Sequence, residues 1–563
     1  MNATLGSANA FRPNAKVLFS VFLIFVALLK LFVIGGQDII AAPYDSMQYL
    51  QIGDAWYWGV NWAFARRPSF PIFLALAYNS GIPLRLVFEG LFILASLRLA
   101  AGLLRLGIPY WAAALNFALT LMLPTTLIEF NFAMVECMLS PVLIWAAAEF
   151  VFMLTTIGRR FWIHNLVFSV LVSFAWYARS ETVLLSGAAL AVSILLAAAA
   201  FFRRQPILPA LRQCARLFGL AAILCAVVGL FVATMDHLHF GRFSSVEDLR
   251  APAFSRAYND LQLIDAPENP HFVPFSSAQM RLAASVSPAF AEIYPPLQGT
   301  LGERFRRISK NEAGVDNEIA GGWLMWAIRE AAVDAGYRDY RSQDAFYNRL
   351  ADEIEVAARE GNIHLLYFPV AFVDPHWRVW APYLLSSIAR TADRVVLGGQ
   401  LRVPLQSAQP PDVVAEFDRS ANRRAALVVP DEPSPKLRRA EFAITWFGTA
   451  YRPLIFSLAA LAVVLFAAGG WRRLKVETGA FLVLIAAPSV GKVLLMALID
   501  ASAYPNVGID RYVLPAAVFV PSFVLVLLAQ RFRGEAKTVG NATFHDVQKI
   551  GVTKDENLVT AAL

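Results

Sequence analysis

Ionisable side chains that could take part in catalysis occur in short polar segments between long apolar runs of the sequence, and Lys492 lies inside one of those runs. Carboxylates in such segments can accept a proton, and a guanidinium group can bind a phosphate through two hydrogen bonds. The residues that we single out are Asp45, Tyr49, Asp54, Arg66, Arg67, Glu136, Arg179, Glu181, Lys492, Asp510, Arg511 and Tyr512. Because a charge costs about 2.5–3.5 kcal/mol at the centre of a membrane helix, charges retained near a membrane usually line a wet cavity or pair with one another. We therefore expect a shared cavity; ordinary charges at the membrane interface are the alternative.

The composition of the chain excludes an ordinary soluble enzyme. Of its 563 residues, 57% are hydrophobic and only 16% are charged, whereas soluble domains contain about 25% charged residues. Ten apolar runs are long enough to cross a membrane as helices. They cover residues 17–36, 84–104, 109–127, 134–156, 162–178, 183–202, 215–235, 452–470, 478–499 and 511–530. The fold class predicted from these runs is an all-α multi-pass membrane protein with about ten transmembrane helices.

Basic residues between the spans indicate the orientation, because short cytoplasmic loops are rich in Lys and Arg. Clusters of basic residues begin before the first span and recur after the second, fourth, sixth, eighth and tenth spans. Their members are Arg12, Lys16, Arg98, Arg105, Arg159, Arg160, Arg203, Arg204, Arg212, Arg216, Arg472, Arg473, Lys475, Arg531, Arg533 and Lys537. All of them fall on one side of an alternating count. We therefore expect both termini in the cytoplasm, and residues 37–83, the region 236–440 and the loop 500–510 outside it.

The region 236–440 differs in composition from the rest of the chain. It contains 26 acidic and 23 basic residues, close to the soluble norm, and none of Cys137, Cys214 and Cys225. It is therefore predicted to be an α-rich extracytoplasmic insert without a disulfide framework or a Cys/His zinc site. The domain division is an N-terminal transmembrane module over 1–235 with the outer loop 37–83, the insert and linker over 236–440, a C-terminal transmembrane module over 441–535, and a disordered cytoplasmic tail over 536–563.

Local patterns within the insert predict four kinds of segment. Helices are expected over 318–336, which ends at Gly336, and over 343–361, where Phe346, Leu350, Ile354 and Ala358 are spaced at four. Proline-rich coil is expected around Pro252, Pro270, Pro295 and Pro296. The aromatic stretch 368–383 is predicted to be an interfacial re-entrant segment, and residues 404–440 are predicted to be a linker.

Several short motifs, in the same order and on the same side of the membrane, resemble the GT-C superfamily of polytopic glycosyltransferases. Its members include protein O-mannosyltransferases and lipid A aminoarabinose transferases. An acidic residue, Asp45, follows the first span, Tyr49 comes four residues later, and the loop closes with an Arg-Pro-x-x-Pro-x-x-x-Ala run from Arg67. Glu136 resembles the acid that opens a later span of the superfamily, and Arg179-Ser180-Glu181 resembles its Arg-Pro-Glu turn with Ser in place of Pro. Asp510-Arg511-Tyr512-Val513-Leu514-Pro515 resembles the entry to its last span.

The resemblance implies transfer of a sugar from a polyprenyl-phosphate donor to an extracytoplasmic acceptor. By the same resemblance, Asp45 is the general base, whereas its alternative role is to cap a helix. Asp54 is a second candidate base or a ligand of sugar hydroxyl groups. Arg179, Arg511 and Lys492 are candidate phosphate ligands, although an arginine at the interface can also extend its side chain towards water without a ligand. The insert does not match the well-known members, so the acceptor stays unassigned.

The sequence also indicates which cofactors and partners to expect and which other functions are possible. Many members of the superfamily have two adjacent acids in the first loop, whereas here Ser46 follows Asp45, so a metal ion is not indicated and no cofactor is expected. No nucleotide-binding motif occurs, and the basic net charge belongs to the membrane part, so nucleic acid is not an expected partner. The expected partners are the lipid-linked donor and membrane lipids. A transporter or flippase of lipid-linked sugars, and an envelope assembly protein without catalysis, are the alternative functions.

Overall fold

The computed structural model describes residues 15–35, 37–41, 45–60, 63–265, 269–368, 373–398, 411–422, 435–505 and 509–532. Within these residues the chain forms α-helices and short 3-10 turns, together with one isolated β-bridge between Ile264 and Leu365. Part of the predicted linker and the predicted cytoplasmic tail lie outside the described residues.

The described residues of the N-terminal module form ten α-helices. These are α1 (Ala15–Ile34), α2 (Asp45–Asp54), α3 (Ser69–Ser80), α4 (Leu84–Arg105), α5 (Tyr110–Leu121), α6 (Pro124–Glu129), α7 (Val135–Thr155), α8 (Arg159–Trp176), α9 (Leu184–Phe202) and α10 (Ile207–Phe240). The long helix α10 ends at Gly241, whose φ of +75° is a left-handed conformation that glycine adopts without strain. The chain enters the insert from this point.

In the insert and the C-terminal module, the residues that the structure describes form thirteen further α-helices. In the insert these are α11 (Pro252–Gln262), α12 (Ser277–Val286), α13 (Pro288–Gln298), α14 (Thr300–Ala313), α15 (Gly321–Asp334), α16 (Tyr340–Arg359), α17 (Trp377–Leu397) and α18 (Pro411–Ser420). In the C-terminal module they are α19 (Pro435–Ala467), α20 (Val476–Ser502), α21 (Ile509–Tyr512), α22 (Leu514–Ala517) and α23 (Val520–Ala529).

Nine helical segments in the described part of the chain are long and apolar enough to cross a membrane. They are Ala15–Ile34, Leu84–Arg105, Tyr110–Glu129, Val135–Thr155, Ser180–Phe202, Ile207–Phe240, Arg438–Ala467, Val476–Ser502 and Leu514–Phe532. The fifth predicted span, 162–178, corresponds to α8, whose first turns carry Arg159, Arg160 and His164 and are too polar to be counted among these nine. Because α8 packs between α7 and α10, it is nevertheless part of the bundle. The prediction of an all-α multi-pass membrane protein is confirmed.

Charged residues inside the spans are paired with one another. Glu89 of α4 forms ion pairs with Arg85 at 2.9 Å and with Lys30 of α1 at 3.6 Å, and all three side chains are buried. The ammonium of Lys30 also donates to the carbonyl oxygen of Leu121 at 2.8 Å and to the hydroxyl of Thr126 at 2.9 Å. These two acceptors flank the break between α5 and α6, where helix ends leave carbonyl groups without partners. The cluster therefore fixes α6 against α1 and α4.

The insert folds around its own hydrophobic core. In α16 the side chains of Phe346, Leu350 and Ile354 are buried, as their spacing predicts. The predicted helices at 318–336 and 343–361 correspond to α15 and α16. The prediction of proline-rich coil is wrong in two places: Pro252 begins α11, and Pro295 and Pro296 lie in the last turns of α13. Proline is compatible with a first helical turn because the backbone N–H that it lacks has no partner there.

Two further segments differ from the sequence prediction. The stretch 368–383 is not one re-entrant segment, because Trp377 begins the 21-residue helix α17, which continues through Pro382 to Leu397. Within the predicted linker, residues of α18 form a helix that packs against α2. Helix α17 packs along α20 and also contacts α19, α21 and α22. The insert is therefore joined to the C-terminal module along a whole helix and not only through its chain ends.

Candidate active site

Asp45 and Arg66 form an ion pair at the start of the first outer loop. Asp45 begins α2, and its carboxylate accepts a hydrogen bond from Nη2 of Arg66. The chain reverses after α2 through Trp56 and Tyr57, which have φ angles of +56° and +50°. The hydroxyl of Tyr57 then donates to the backbone carbonyl of Arg66 at 2.7 Å. This turn brings Arg66 back to the helix end at which Asp45 lies.

The guanidinium group of Arg66 is held on several sides. Its Nε and Nη2 atoms donate to Oε1 of Gln48 at 3.2 and 2.7 Å. Its central carbon lies 4.9 Å from the ring centre of Tyr49 and 5.1 Å from that of Trp326. Trp326 belongs to α15, so the insert contributes directly to this site. Arg66 is mostly buried, with 13% of its side chain exposed, whereas 39% of the Asp45 side chain is exposed.

Arg179 is the second guanidinium group of the site, and it bridges two carboxylates. Its Nε and Nη2 atoms donate to the two oxygens of Glu181 at 2.7 Å each, and Nη1 donates to Oε1 of Glu136. Burial lowers the pKa of Arg179, but the two carboxylates outweigh burial and raise it well above its usual value. Oε2 of Glu136 is buried and has no hydrogen-bond partner among the described residues.

Tyr49 connects the first guanidinium group to the second. Burial raises the pKa of the Tyr49 hydroxyl, the charges of Arg66 and Arg179 act against that shift, and those of Asp45 and Glu136 add to it. Both ion-pair groups are therefore within electrostatic range of this one hydroxyl group. Tyr512 has a similar position: burial raises its pKa most, Asp45 raises it further, and Arg179 lies 5.0 Å from its ring.

Lys492 joins the cluster that Asp45, Arg66, Arg179, Glu136 and Glu181 form. Its ammonium lies 3.3 Å from Oε1 of Glu181, and only 9% of its side chain is exposed. Lys492 and Glu181 line one part of a cavity of about 460 Å³ between α7, α8, α9, α10 and α20. The remaining lining is almost entirely apolar and includes Leu143, Phe168, Leu185, Phe218 and Ile485. The cavity thus combines a long apolar interior with one charged group of side chains.

Arg511 lies on the other side of Tyr512. Its Nε donates to Oε2 of Glu129, the last residue of α6, at 2.9 Å, and its guanidinium carbon lies 4.0 Å above the ring of Phe132. Asp510 pairs with Arg394 of α17 at 3.3 Å. One turn earlier in α17, Arg390 binds Asp500 at 2.6 Å. The sequence analysis did not single out Arg390, Arg394 or Trp326, because no local pattern connects the insert to the spans.

Two predicted site residues lie apart from this group. Asp54 is at the opposite end of α2 from Asp45, about 13 Å along the helix by its rise per residue, and it pairs with Arg419 of α18 at 3.1 Å. Arg67 donates to Glu247 at 2.6 Å and to the backbone carbonyl of Trp176 at 2.8 Å. Both side chains attach the outer loop to other parts of the fold. The structure brings the other predicted site residues into one connected cluster.

In the described part of the chain, no group of three or more His, Cys, Asp or Glu side chains has a geometry that could hold a metal ion. The carboxylates of the cluster instead have arginine or lysine partners. The arrangement can therefore supply carboxylates for proton transfer and cations for an anionic ligand.

Comparison with known proteins gives a structural likeness only. No family model matches the chain, and no curated protein matches it in sequence. A crystal structure of ArnT from Cupriavidus metallidurans in the apo state is similar, with 14% identity and a TM-score of 0.30, over 92% of this chain and 78% of that one. The same protein bound to undecaprenyl phosphate is similar with 13% identity and a TM-score of 0.30, over 90% and 77%.

A TM-score of 0.30 describes a loose superposition, in which individual residues of the two chains cannot be equated. The function of this chain has to be inferred from its own residues.

Proposed function

We propose that the chain is an integral membrane glycosyltransferase that moves a sugar from a polyprenyl-phosphate-linked donor to an extracytoplasmic acceptor, with Asp45 as the general base. The observation that carries the proposal is the apolar cavity within the bundle with Lys492 and Glu181 on its lining. A lipid chain with a phosphate at its end has the same distribution of polarity. Pockets of this volume are typical of small-ligand sites, which are mostly apolar with a few polar groups.

The proposed reaction is a displacement at the anomeric carbon of the sugar. The hydroxyl oxygen of the acceptor forms a bond to that carbon while the bond from the carbon to the phosphate oxygen breaks. The hydroxyl proton passes to the carboxylate of Asp45, and the electron pair of the broken bond leaves with the polyprenyl phosphate. The phosphate gains one unit of negative charge, so nearby cations stabilise the transition state more than the bound donor.

Asp45 is the carboxylate of the cluster that fits the role of base. It is the most exposed of the cluster's carboxylates, whereas Glu136, Glu181 and Glu129 are buried or nearly so. An acceptor hydroxyl can reach an exposed carboxylate without displacing the protein around it.

The cations of the cluster differ in how fully a carboxylate compensates them. Arg179 binds Glu181 with two nitrogens and Glu136 with a third. Lys492 has a single contact of 3.3 Å, to an oxygen of Glu181 that also accepts a hydrogen bond from Arg179. Lys492 is the only Lys or Arg side chain among the described residues that line the cavity, and we assign its ammonium to the donor phosphate. Arg179 and Arg511 complete the positive side of the site.

A direct test supplies the purified protein, in lipid nanodiscs, with either a polyprenyl-phosphate sugar or a nucleotide sugar, together with an extract of envelope glycans and lipids. We expect labelled sugar to become covalently attached to an acceptor from the lipid donor only. Transfer from the nucleotide sugar in the complete absence of lipid donor would contradict the proposal. Movement of the lipid donor across the bilayer without a new glycosidic bond would instead support a flippase.

A further inference from the structure

Helix α15 of the insert contacts two parts of the membrane region beside the candidate site. One is the segment that follows α20, and the other is the first outer loop. At its first turn, the backbone N–H of Gly322 donates to the carbonyl of Ala503 at 3.3 Å. A Cβ atom on Gly322 would lie 3.2 Å from Cβ of Tyr504, so only glycine allows this close approach without displacement of the neighbour. The ring of Trp323 meets that of Tyr504 edge to face at 5.6 Å. The start of α15 is thus docked on the segment that follows α20.

One turn further along, α15 reaches the first outer loop. The ring of Trp326 covers the guanidinium group of Arg66 at 5.1 Å, on which Tyr49 also packs. Arg329 lies over the ring of Phe64 at 5.8 Å, and Tyr340 contacts the same ring with a centroid distance of 3.7 Å. These contacts connect the insert to the residues immediately before Arg66. Helix α15 therefore spans the distance between the C-terminal module and the Asp45–Arg66 pair.

We propose that α15 is a fixed part of the active site and that Trp326 is a positioning residue, which holds Arg66 in the orientation that orders Asp45. The proposal assigns a role to the insert and rests on the function proposed above. A guanidinium group that contacts two aromatic rings has fewer orientations open to it, and the attraction between cation and ring adds to the packing. With Trp326 absent, Arg66 retains its contacts with Gln48 and Tyr49 but gains other orientations, so Asp45 is correctly placed for a smaller fraction of the time.

Substitution of Trp326 separates the aromatic contact from simple space filling. Trp326→Leu removes the ring face, and we expect kcat to fall about tenfold, with little change in the KM for the donor. Trp326→Phe retains a ring face and should keep kcat within about threefold of the unaltered protein. A matched control is Trp162→Leu, which removes an arginine–tryptophan contact with Arg216, of 5.7 Å, at the other end of the bundle. Equal loss of kcat in Trp326→Leu and Trp326→Phe, or an unchanged kcat in both, would overturn the proposal.

A cross-link tests whether α15 stays in place during turnover. A Cβ atom on Gly321 would lie 3.3 Å from Cβ of Ala503, close to the separation found in disulfides. We expect the double variant Gly321→Cys with Ala503→Cys to form an intramolecular disulfide on oxidation and to keep its activity within about twofold. Failure to form the bond would show that α15 is not docked there. Formation of the bond with loss of activity that a reductant restores would show that α15 has to move.

The two measurements also distinguish failure of this inference from failure of the proposed function. If the unaltered protein transfers no sugar from any lipid donor, the proposed function is wrong, while the yield of the cross-link still reports the position of α15. If the unaltered protein transfers sugar and the Trp326 variants behave like the control, only the role of α15 is wrong.

Discussion

Lys492 and Glu181 lie 3.3 Å apart although 311 residues separate them in the chain. Lys492 projects from α20 of the C-terminal module, and Glu181 from the turn that precedes α9 of the N-terminal module. Their contact therefore joins the two modules beside the apolar cavity. Because Glu181 already accepts two hydrogen bonds from Arg179, an anionic ligand can take over the ammonium of Lys492 without leaving Glu181 uncompensated.

Replacement of Lys492 should weaken use of the donor. Hydrogen bonds to charged groups contribute about 1.5–3 kcal/mol, so we expect Lys492→Met to raise the KM for the polyprenyl-phosphate sugar by about 10- to 100-fold. Lys492→Arg keeps the charge and should restore part of the affinity. Initial rates at varied donor concentration measure the effect, with Lys310→Met, at an exposed ion pair of the insert, as the control. An unchanged KM in Lys492→Met would show that the donor phosphate binds elsewhere.

Asp45→Asn should remove proton transfer while it preserves the shape of the side chain. A lost general base typically lowers the rate by about 10²- to 10⁴-fold, and we expect kcat to fall within that range. Asparagine still accepts a hydrogen bond from Arg66 and still suits a helix start, so the protein should fold and elute normally. Asp54→Asn, at the other end of α2, should cost less than tenfold. Near-normal turnover of purified Asp45→Asn would rule out the catalytic role.

The membrane part of the fold could be predicted from local sequence because each span is a continuous apolar run. Nine of the ten runs contain a span in the described structure, and the charged positions of Asp45, Glu136 and Arg511 stand out against them. The grouping of these residues followed from the alternation of basic loops, which assigns them to one side. Their individual partners could not be predicted, since an ion pair such as Arg511–Glu129 depends on how distant helices pack.

The insert was less predictable for a physical reason. Helix α17 contains Pro382 and several charges, and it is stabilised by its contacts with α20 rather than by an apolar run of its own. Trp326 contacts a guanidinium group outside the insert, and it does not belong to the buried face of α15, which includes Leu324, Ala327 and Ile328. Contacts between domains do not produce a regular spacing of residues in the sequence. The contribution of the insert to the site therefore appears only in the structure.

Arg511 should contribute to donor binding through geometry as well as charge. Its Nε donates to Oε2 of Glu129, and its two terminal nitrogens have no hydrogen-bond partner among the described residues. We expect Arg511→Ala to raise the KM for the donor more than that for the acceptor. Arg511→Lys should restore only part of the loss, because an ammonium cannot reproduce a two-pronged contact with phosphate. Kinetics with each substrate varied in turn measure both constants, and full activity of Arg511→Lys would reduce the role of Arg511 to its charge.

The buried cluster of Lys30, Arg85 and Glu89 should show an asymmetric effect on stability. Two cations share one carboxylate, so Glu89→Gln leaves two buried charges without an anion, and loss of one partner of a buried pair costs about 3–5 kcal/mol. Lys30→Met leaves the pair between Arg85 and Glu89 intact and should destabilise the protein less, despite the lost hydrogen bonds to Leu121 and Thr126. Thermal unfolding in one detergent compares the two variants. A lower unfolding temperature for Lys30→Met than for Glu89→Gln would contradict this order.

The orientation of the bundle is predicted from its basic loops, and single cysteines can test it. The first outer loop, the insert and the segment near residue 503 contact one another, as expected if all three lie on one side of the membrane. Cys137 and Cys214 are buried and Cys225 is half-buried, so native cysteines should give little background.

We expect a membrane-impermeant maleimide to label Asn311→Cys, at an exposed position of α14, in intact cells with a permeabilised outer membrane. Gln205→Cys, at an exposed position between α9 and α10, should react only after the cytoplasmic membrane is opened. The opposite pattern would place the cluster around Asp45 in the cytoplasm, and the donor assignment would then lose its physical basis, because nucleotide sugars are available on that side.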